Sequence, residues 1–237
     1  MSYNYKKVSL IVLVSLIFFS FFWYMQNNIY LSHMNNQTLL NMNSSSQGFS
    51  SLRMFSLYYT MYFLLIVNIQ VRNEEALFVV RQKNREKLFN KRTLQIFFTA
   101  GLFSLSFSVV NLLMTYIFVG NIHMIHDNFY RATLFNGMAV LLFYWSIGLL
   151  EKLIEDKFNS RNVAVLITFL LVASGFFIKS IPWVPIKDMV VYENLLTNTW
   201  NTLDLLKVYG RQFGLVIVLF LLGSIVFKEK DFLHHEK

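Results

Sequence analysis

The chain has 237 residues, 55% of them hydrophobic, 17% aromatic and only 14% charged, with a net charge of +8. A soluble domain carries charge on roughly a quarter of its residues, so the composition excludes an ordinary water-soluble enzyme and points to an all-α polytopic membrane protein. With no cysteine, it also excludes disulfides, thiol nucleophiles and thiolate metal sites.

Lys6 and Lys7 precede an apolar run over 8–25 that ends in Phe21, Phe22, Trp23, Tyr24 and Met25. A secretory signal also starts this way, but the small-residue cleavage pattern is missing. The run predicts an uncleaved first span with an aromatic belt at its exit. Residues 26–50, rich in Asn and Ser and almost without charge, predict an outside loop, and 54–71 a second span. Then comes 72–92, RNEEALFVVRQKNREKLFNKR, with seven of the 21 basic residues against three glutamates. Hydrocarbon does not accommodate such a segment, so it separates two spans, and its sign places it on the cytoplasmic side.

The third span, 93–119, has 27 residues, more than the roughly 20 needed to cross. It predicts a tilt, a kink near Gly101 or an interfacial turn. Residues 120–131 form a short outside loop and 132–150 cross back. A second charged cytoplasmic loop is expected over 151–161, with Lys152, Lys157 and Arg161. The fifth span covers 162–178, the longest outside segment 179–210 and the last span 211–227, before the tail KEKDFLHHEK. Fifteen basic residues then lie inside and six outside. That bias predicts one transmembrane domain of six helices in the cell membrane, both termini cytoplasmic. It also accounts for the positive charge without a nucleic-acid partner.

No span carries Asp, Glu, Lys, Arg or His away from its ends, which argues against an ion- or proton-driven carrier. Asn68, Gln70 and Asn111 are expected to hydrogen-bond between helices. His123 and His126 share a helical face beside Asp127, but no third ligand is set by the pattern; His234 and His235 read as solvated. Glu74 and Glu75 with Arg81 evoke the paired-glutamate motif of CAAX-type intramembrane proteases. Here five residues intervene before the arginine instead of three, and no later span holds a histidine. No G-x-x-x-x-G-K-[ST] occurs, so there is no P-loop. The expectation is a chain with no catalytic, cofactor-binding or metal-ligating residues, in which any ATP is used by a separate chain.

No Gly or Pro interrupts 72–92. As a helix it stacks Arg81 on Arg85, and Lys83, Lys87 and Lys91 on one another, at repelling i, i+4 spacing. Something anionic is therefore expected opposite. Lipid headgroups are one choice; an acidic groove on a cytoplasmic protein, with Leu77, Phe78, Leu88 and Phe89 as anchors, is the other. Within 179–210, Leu195, Leu196, Trp200, Leu203 and Leu206 recur at helical spacing beside Asn198, Asn201 and Asp204. They predict an amphipathic helix lying on or dipping into the outer leaflet.

The stretch Glu75 to Arg85, EALFVVRQKNR with Lys91 following, is similar to the loop before the third span in permeases of the type-two ABC exporter family. LLGSIVFKEKDF, Leu221 to Phe232, is similar to their closing stretch. Six spans with both ends inside, and a Pro-broken outer segment before the last span, resemble the same family. The resemblance implies a membrane subunit that pairs with an identical or related permease. It further implies a cytoplasmic ATP-binding subunit docked on Glu75, Leu77, Phe78, Arg81, Arg85, Leu88 and Phe89. The family's re-entrant piece near the exit implies an extracellular gate or interface at Pro182, Trp183, Pro185 and Trp200. A hydrophobic or amphipathic substrate, such as an antimicrobial peptide, suits spans without charge. The alternative is a non-transporting membrane protein, a peptide sensor, immunity or assembly factor that binds peptide through its outside loops.

Overall fold

The two prolines fall at 182 and 185, so nothing interrupts backbone hydrogen bonding along the long apolar runs, and each closes into a helix. The computed structural model describes residues 5–32, 37–44, 47–71, 85–120, 124, 128–178 and 183–229. It is all-helical, with no strand among the described residues. In chain order there are α1 (Tyr5–Leu31), α2 (Thr38–Ser44), and a π-helical turn (Met54–Tyr59) that continues as α3 (Thr60–Gln70). Then follow α4 (Arg85–Phe118), α5 (Phe129–Phe158), α6 (Arg161–Phe177), a 3-10 turn (Pro185–Met189), α7 (Val191–Leu196) and α8 (Thr202–Glu229).

Four helices, α1, α4, α5 and α8, are long and apolar enough to cross a membrane; Met54–Gln70 and α6 are shorter apolar helices. Leu10 and Ile17 on α1, Leu105 and Ile117 on α4, Leu134 on α5, Leu166 on α6 and Leu221 on α8 all lie exposed. An apolar surface running over every long helix is stable only where lipid covers it. This is a membrane protein.

Inside the bundle, α5 is the central helix, with buried residues along its length from Phe129 to Asp156. Its neighbours are joined by an aromatic core. Phe49 stacks on Phe107 with centroids 4.7 Å apart, Phe19 meets Phe103 edge-on at 5.1 Å, and Phe18 stacks on Tyr62 at 3.9 Å. Lipid tails are as apolar as these rings, so close packing rather than escape from water holds the helices together. The π-helical turn widens the backbone and turns the Phe55 carbonyl towards outside donors. Thr60 Oγ1 donates to it at 2.7 Å and Tyr144 OH, from α5, at 2.9 Å.

The helices alternate in direction. One end, the basic end, joins Lys7 to Ile69, Arg161 to Asn68 and Arg85 to Lys228. The opposite, polar end is built on Asn111 of α4. Its Oδ1 accepts from Trp23 Nε1 (3.0 Å), and its Nδ2 donates to Asn43 Oδ1 (2.9 Å) and to Tyr192 OH (2.8 Å). Tyr192 donates in turn to Thr133 Oγ1 at 2.9 Å. Burial pushes the Tyr192 phenol well above its usual range, so it stays protonated and able to donate. Five helices meet in this one network.

Four elements depart from the sequence reading. Residues 26–50 are not a plain outside loop: α1 runs on to Leu31, and α2 packs back so that Asn27, Asn43 and Ser50 are buried. Gly48 allows this return, because a Cβ there would lie 2.6 Å from the Met42 carbonyl oxygen, a backbone atom that cannot swing aside. α4 begins at Arg85, so 85–92 is helix continuous with the third apolar run. α5 continues to Phe158, so most of the expected loop 151–161 is helix as well; the chain turns at Asn159, in the left-handed region at φ 54°. Finally, the amphipathic helix expected across Leu195–Leu206 is broken. α7 ends at Leu196, Asn198 turns left-handed, and Asn201 starts α8.

That last start is a reciprocal cap. Asn201 Oδ1 accepts from the amides of Leu203 (3.0 Å) and Asp204 (3.1 Å), and Asp204 Oδ2 accepts from the Asn201 amide at 3.3 Å. Asn201→Ala is expected to cost about 1 kcal/mol. Hydrogen exchange at the first turn of α8 should quicken in the variant; unchanged protection there would show that the cap does not hold this helix end.

Candidate functional site

The basic end carries charge that a sequence reading places in water and the fold buries. Glu151, Lys152, Glu155 and Asp156 lie on the last turns of α5, each no more than 4% exposed. Lys152 Nζ bonds Glu155 Oε2 at 2.6 Å, Glu151 Oε1 at 3.3 Å and Asn68 Oδ1 of α3 at 3.4 Å. Arg161, at the start of α6, donates to the same Asn68 oxygen. Arg92 of α4 grips Asp156 with both guanidinium nitrogens, Nη1 to Oδ1 at 3.0 Å and Nη2 to Oδ2. The same guanidinium lies over Phe227 of α8, 4.5 Å from the ring centre. Buried charges persist only when paired and hydrogen-bonded, and here the pairing ties α3, α4, α5, α6 and α8 into one unit. The buried Glu151 Oε2 has no hydrogen-bond partner in the described structure.

The N-terminal turns of α4 carry Arg85, Lys87, Lys91 and Arg92 against one acid, Glu86. Cations at a helix N-terminus oppose its dipole. Glu86, paired with Lys228 of α8, offsets part of that repulsion. Arg92 is neutralised by Asp156.

Between α5, α6 and α8 lies an apolar cleft of about 280 Å³, lined by residues such as Phe143, Ile147, Leu171, Leu215 and Leu219. Val184, Pro185 and Ile186 roof it from the 3-10 segment. That segment is clasped by Asp188, which is 3% exposed: Trp183 Nε1 donates to Oδ2 at 3.0 Å, and the Arg211 guanidinium of α8 pairs with the same carboxylate. Pro185 opens the turn, where its missing N–H costs no hydrogen bond. The arrangement forms a shelf over an apolar space, held to α8 by one ion pair.

The predicted residues divide accordingly. Glu75, Leu77, Phe78, Arg81 and Pro182 lie outside the described residues, as do His123, His126, Asp127 and the tail histidines. Arg85 donates to the Lys228 carbonyl. Leu88 and Phe89, expected as exposed anchors for a partner, are buried with Phe220 and Phe227. Physically, α4 extends far enough for its apolar pair to reach the end of α8, so these side chains serve the bundle itself. Trp183 and Pro185 sit together on the shelf, while Trp200, part-buried, packs on the main core instead. Asp188 was missed, although a carboxylate five residues after Trp183 with an arginine 23 residues on was open to view. The buried group 151–156 was missed because alternating charges look the same on a solvated face. No family model matches the chain, and comparison with curated proteins and with solved structures finds no match.

Proposed function

We propose that this chain is the permease subunit of an ATP-driven exporter, with six spans, both termini cytoplasmic, and a hydrophobic or amphipathic substrate, most simply a peptide. One observation carries the reading: α4 runs unbroken from its basic first turns into the bundle, where Arg92 links it to α5 and α8. A force applied to 72–84 by a cytoplasmic ATP-binding subunit would pass along a rigid helix into α5 and α8, two of the three helices that wall the apolar cleft. Such rigid-body tilting is how helical membrane proteins exchange facing states. The cleft offers an apolar space for the substrate, and a second permease, identical or related, would complete the path. The chain holds no nucleotide site of its own; ATP belongs to the partner.

The reading is tested by purifying the protein from its native membrane in mild detergent. An ATP-binding subunit should co-purify, and its recovery should fall about tenfold, equivalent to 1.4 kcal/mol, in Arg81→Glu/Arg85→Glu. Recovery of no ATP-binding subunit, or undiminished recovery with the double variant at an unchanged melting temperature, would sink it.

A further inference from the structure

The polar end contains a second cavity that the export reading does not use. It measures about 310 Å³ and is walled by α2, the segment leading into the π-helical turn, the end of α6 and α7. Small-molecule sites begin at about 300 Å³, so the space suits a compact ligand. Its lining is chemically two-sided. Phe176, Met189 and Leu52 supply apolar contact, whereas Ser50, Ser51, Asn43 and Tyr192 supply hydroxyl and amide groups.

Two charges of opposite sign complete it, Arg53 and Glu193. They form no ion pair with each other or with any other described residue. The Arg53 guanidinium makes one long hydrogen bond, 3.4 Å from Nη2 to Gln26 Oε1, and its buried Nε has no partner. A guanidinium presents five donors in a fixed fork suited to a carboxylate or phosphate, and the one long bond to Gln26 leaves most of the Arg53 fork, which lines the cavity, available to donate to an anion. Glu193 is exposed at the rim and makes no side-chain hydrogen bond among the described residues. A carboxylate there accepts from an ammonium group.

From this geometry we infer that the cavity binds a compact zwitterion, its anionic group on Arg53 and its ammonium on Glu193. Two sources carry that chemistry, a free α-amino acid and the head group of an aminophospholipid. The occupant would touch Asn43 and Tyr192, both bonded to Asn111, which holds Trp23. Binding is thereby linked to the indole environment of α1. The inference is independent of the exporter reading, since it needs no ATP-binding subunit, and its failure leaves the basic end unaffected.

The experiment uses the full chain in nanodiscs of phosphatidylglycerol, which contain no zwitterionic head group. L-Leucine and glycerophosphoethanolamine are titrated separately by calorimetry, with tryptophan fluorescence in parallel. Saturable binding of either supports the site, and the tighter of the two identifies the source. N-acetyl-leucine, without the ammonium, and leucine methyl ester, without the carboxylate, should each bind about tenfold more weakly than leucine if the amino acid is the source. Arg53→Gln should abolish binding. Glu193→Gln, at an exposed position where folding is not at stake, should weaken it about tenfold. Absence of saturable binding of both probes at millimolar concentration, or equal binding by wild type and Glu193→Gln, would overturn the inference.

Discussion

Asp156→Ala should cost about 3–5 kcal/mol of stability, because it removes one member of a buried, hydrogen-bonded ion pair and leaves the other charged. Asp156 is 4% exposed and takes both arms of Arg92. Without it the guanidinium has, among the described residues, only the faces of Phe227 and Phe89, and cation–π attraction of about 0.5–2 kcal/mol does not replace a paired carboxylate. The partner test separates pairing from packing. Arg92→Leu/Asp156→Leu removes both charges and fills the space with apolar atoms, so it should recover most of the loss. Thermal or denaturant unfolding in a defined detergent reads both. A double variant as unstable as Asp156→Ala would mean that packing, not charge, is what the single change destroys.

The second large effect is expected at Gly148, where α5 crosses α4. A Cβ built there lies 2.4 Å from Ile96 Cγ2. Helix propensity alone would make Gly148→Ala stabilising by about 1 kcal/mol. The contact reverses the sign. Ile96 is β-branched and its Cγ2 is fixed by the single χ1 rotamer a helix allows, so the helices themselves must part. Overpacking of this kind costs about 1–3 kcal/mol. Ile96→Ala alone opens a cavity at about 2–5 kcal/mol, but in combination the alanine at 148 occupies part of the vacated space. The double variant should therefore be more stable than the sum of the singles predicts, by about 1 kcal/mol in a double-mutant cycle. Strict additivity would show that the two positions do not share the crossing.

Much of the architecture was legible because bilayer thickness and backbone satisfaction leave a chain this apolar few choices. Asn68, Gln70 and Asn111 were read as interhelical bonding residues, and all three bond across helices: Gln70 Oε1 accepts from Thr99 Oγ1 at 2.9 Å, Asn68 receives Lys152 and Arg161, and Asn111 centres the polar end. Their type was sufficient, because an amide in a span must find a partner. The candidate site was less legible. Leu88 and Phe89 read as free anchors because 72–92 reads as a cytoplasmic element separate from the third span; as the start of α4, continuous with that span, they face α8. The amphipathic spacing from Leu195 to Leu206 was real as a pattern, but Asn198 and Asn201 carry turn and capping geometry that overrides periodicity.

By itself the sequence determined the helical class and the membrane setting. These follow from local sums of hydropathy and charge, which need no knowledge of neighbours. Only the tertiary structure decided which charges are buried, since burial depends on what stands opposite: Asp156 is a solvated acid until Arg92, 64 residues away, arrives beside it. It also decided that Arg53 and Glu193 share one cavity and that Asp188 and Arg211 clasp one shelf. Pairings of that kind are set by the docking of whole helices, and no local pattern encodes them.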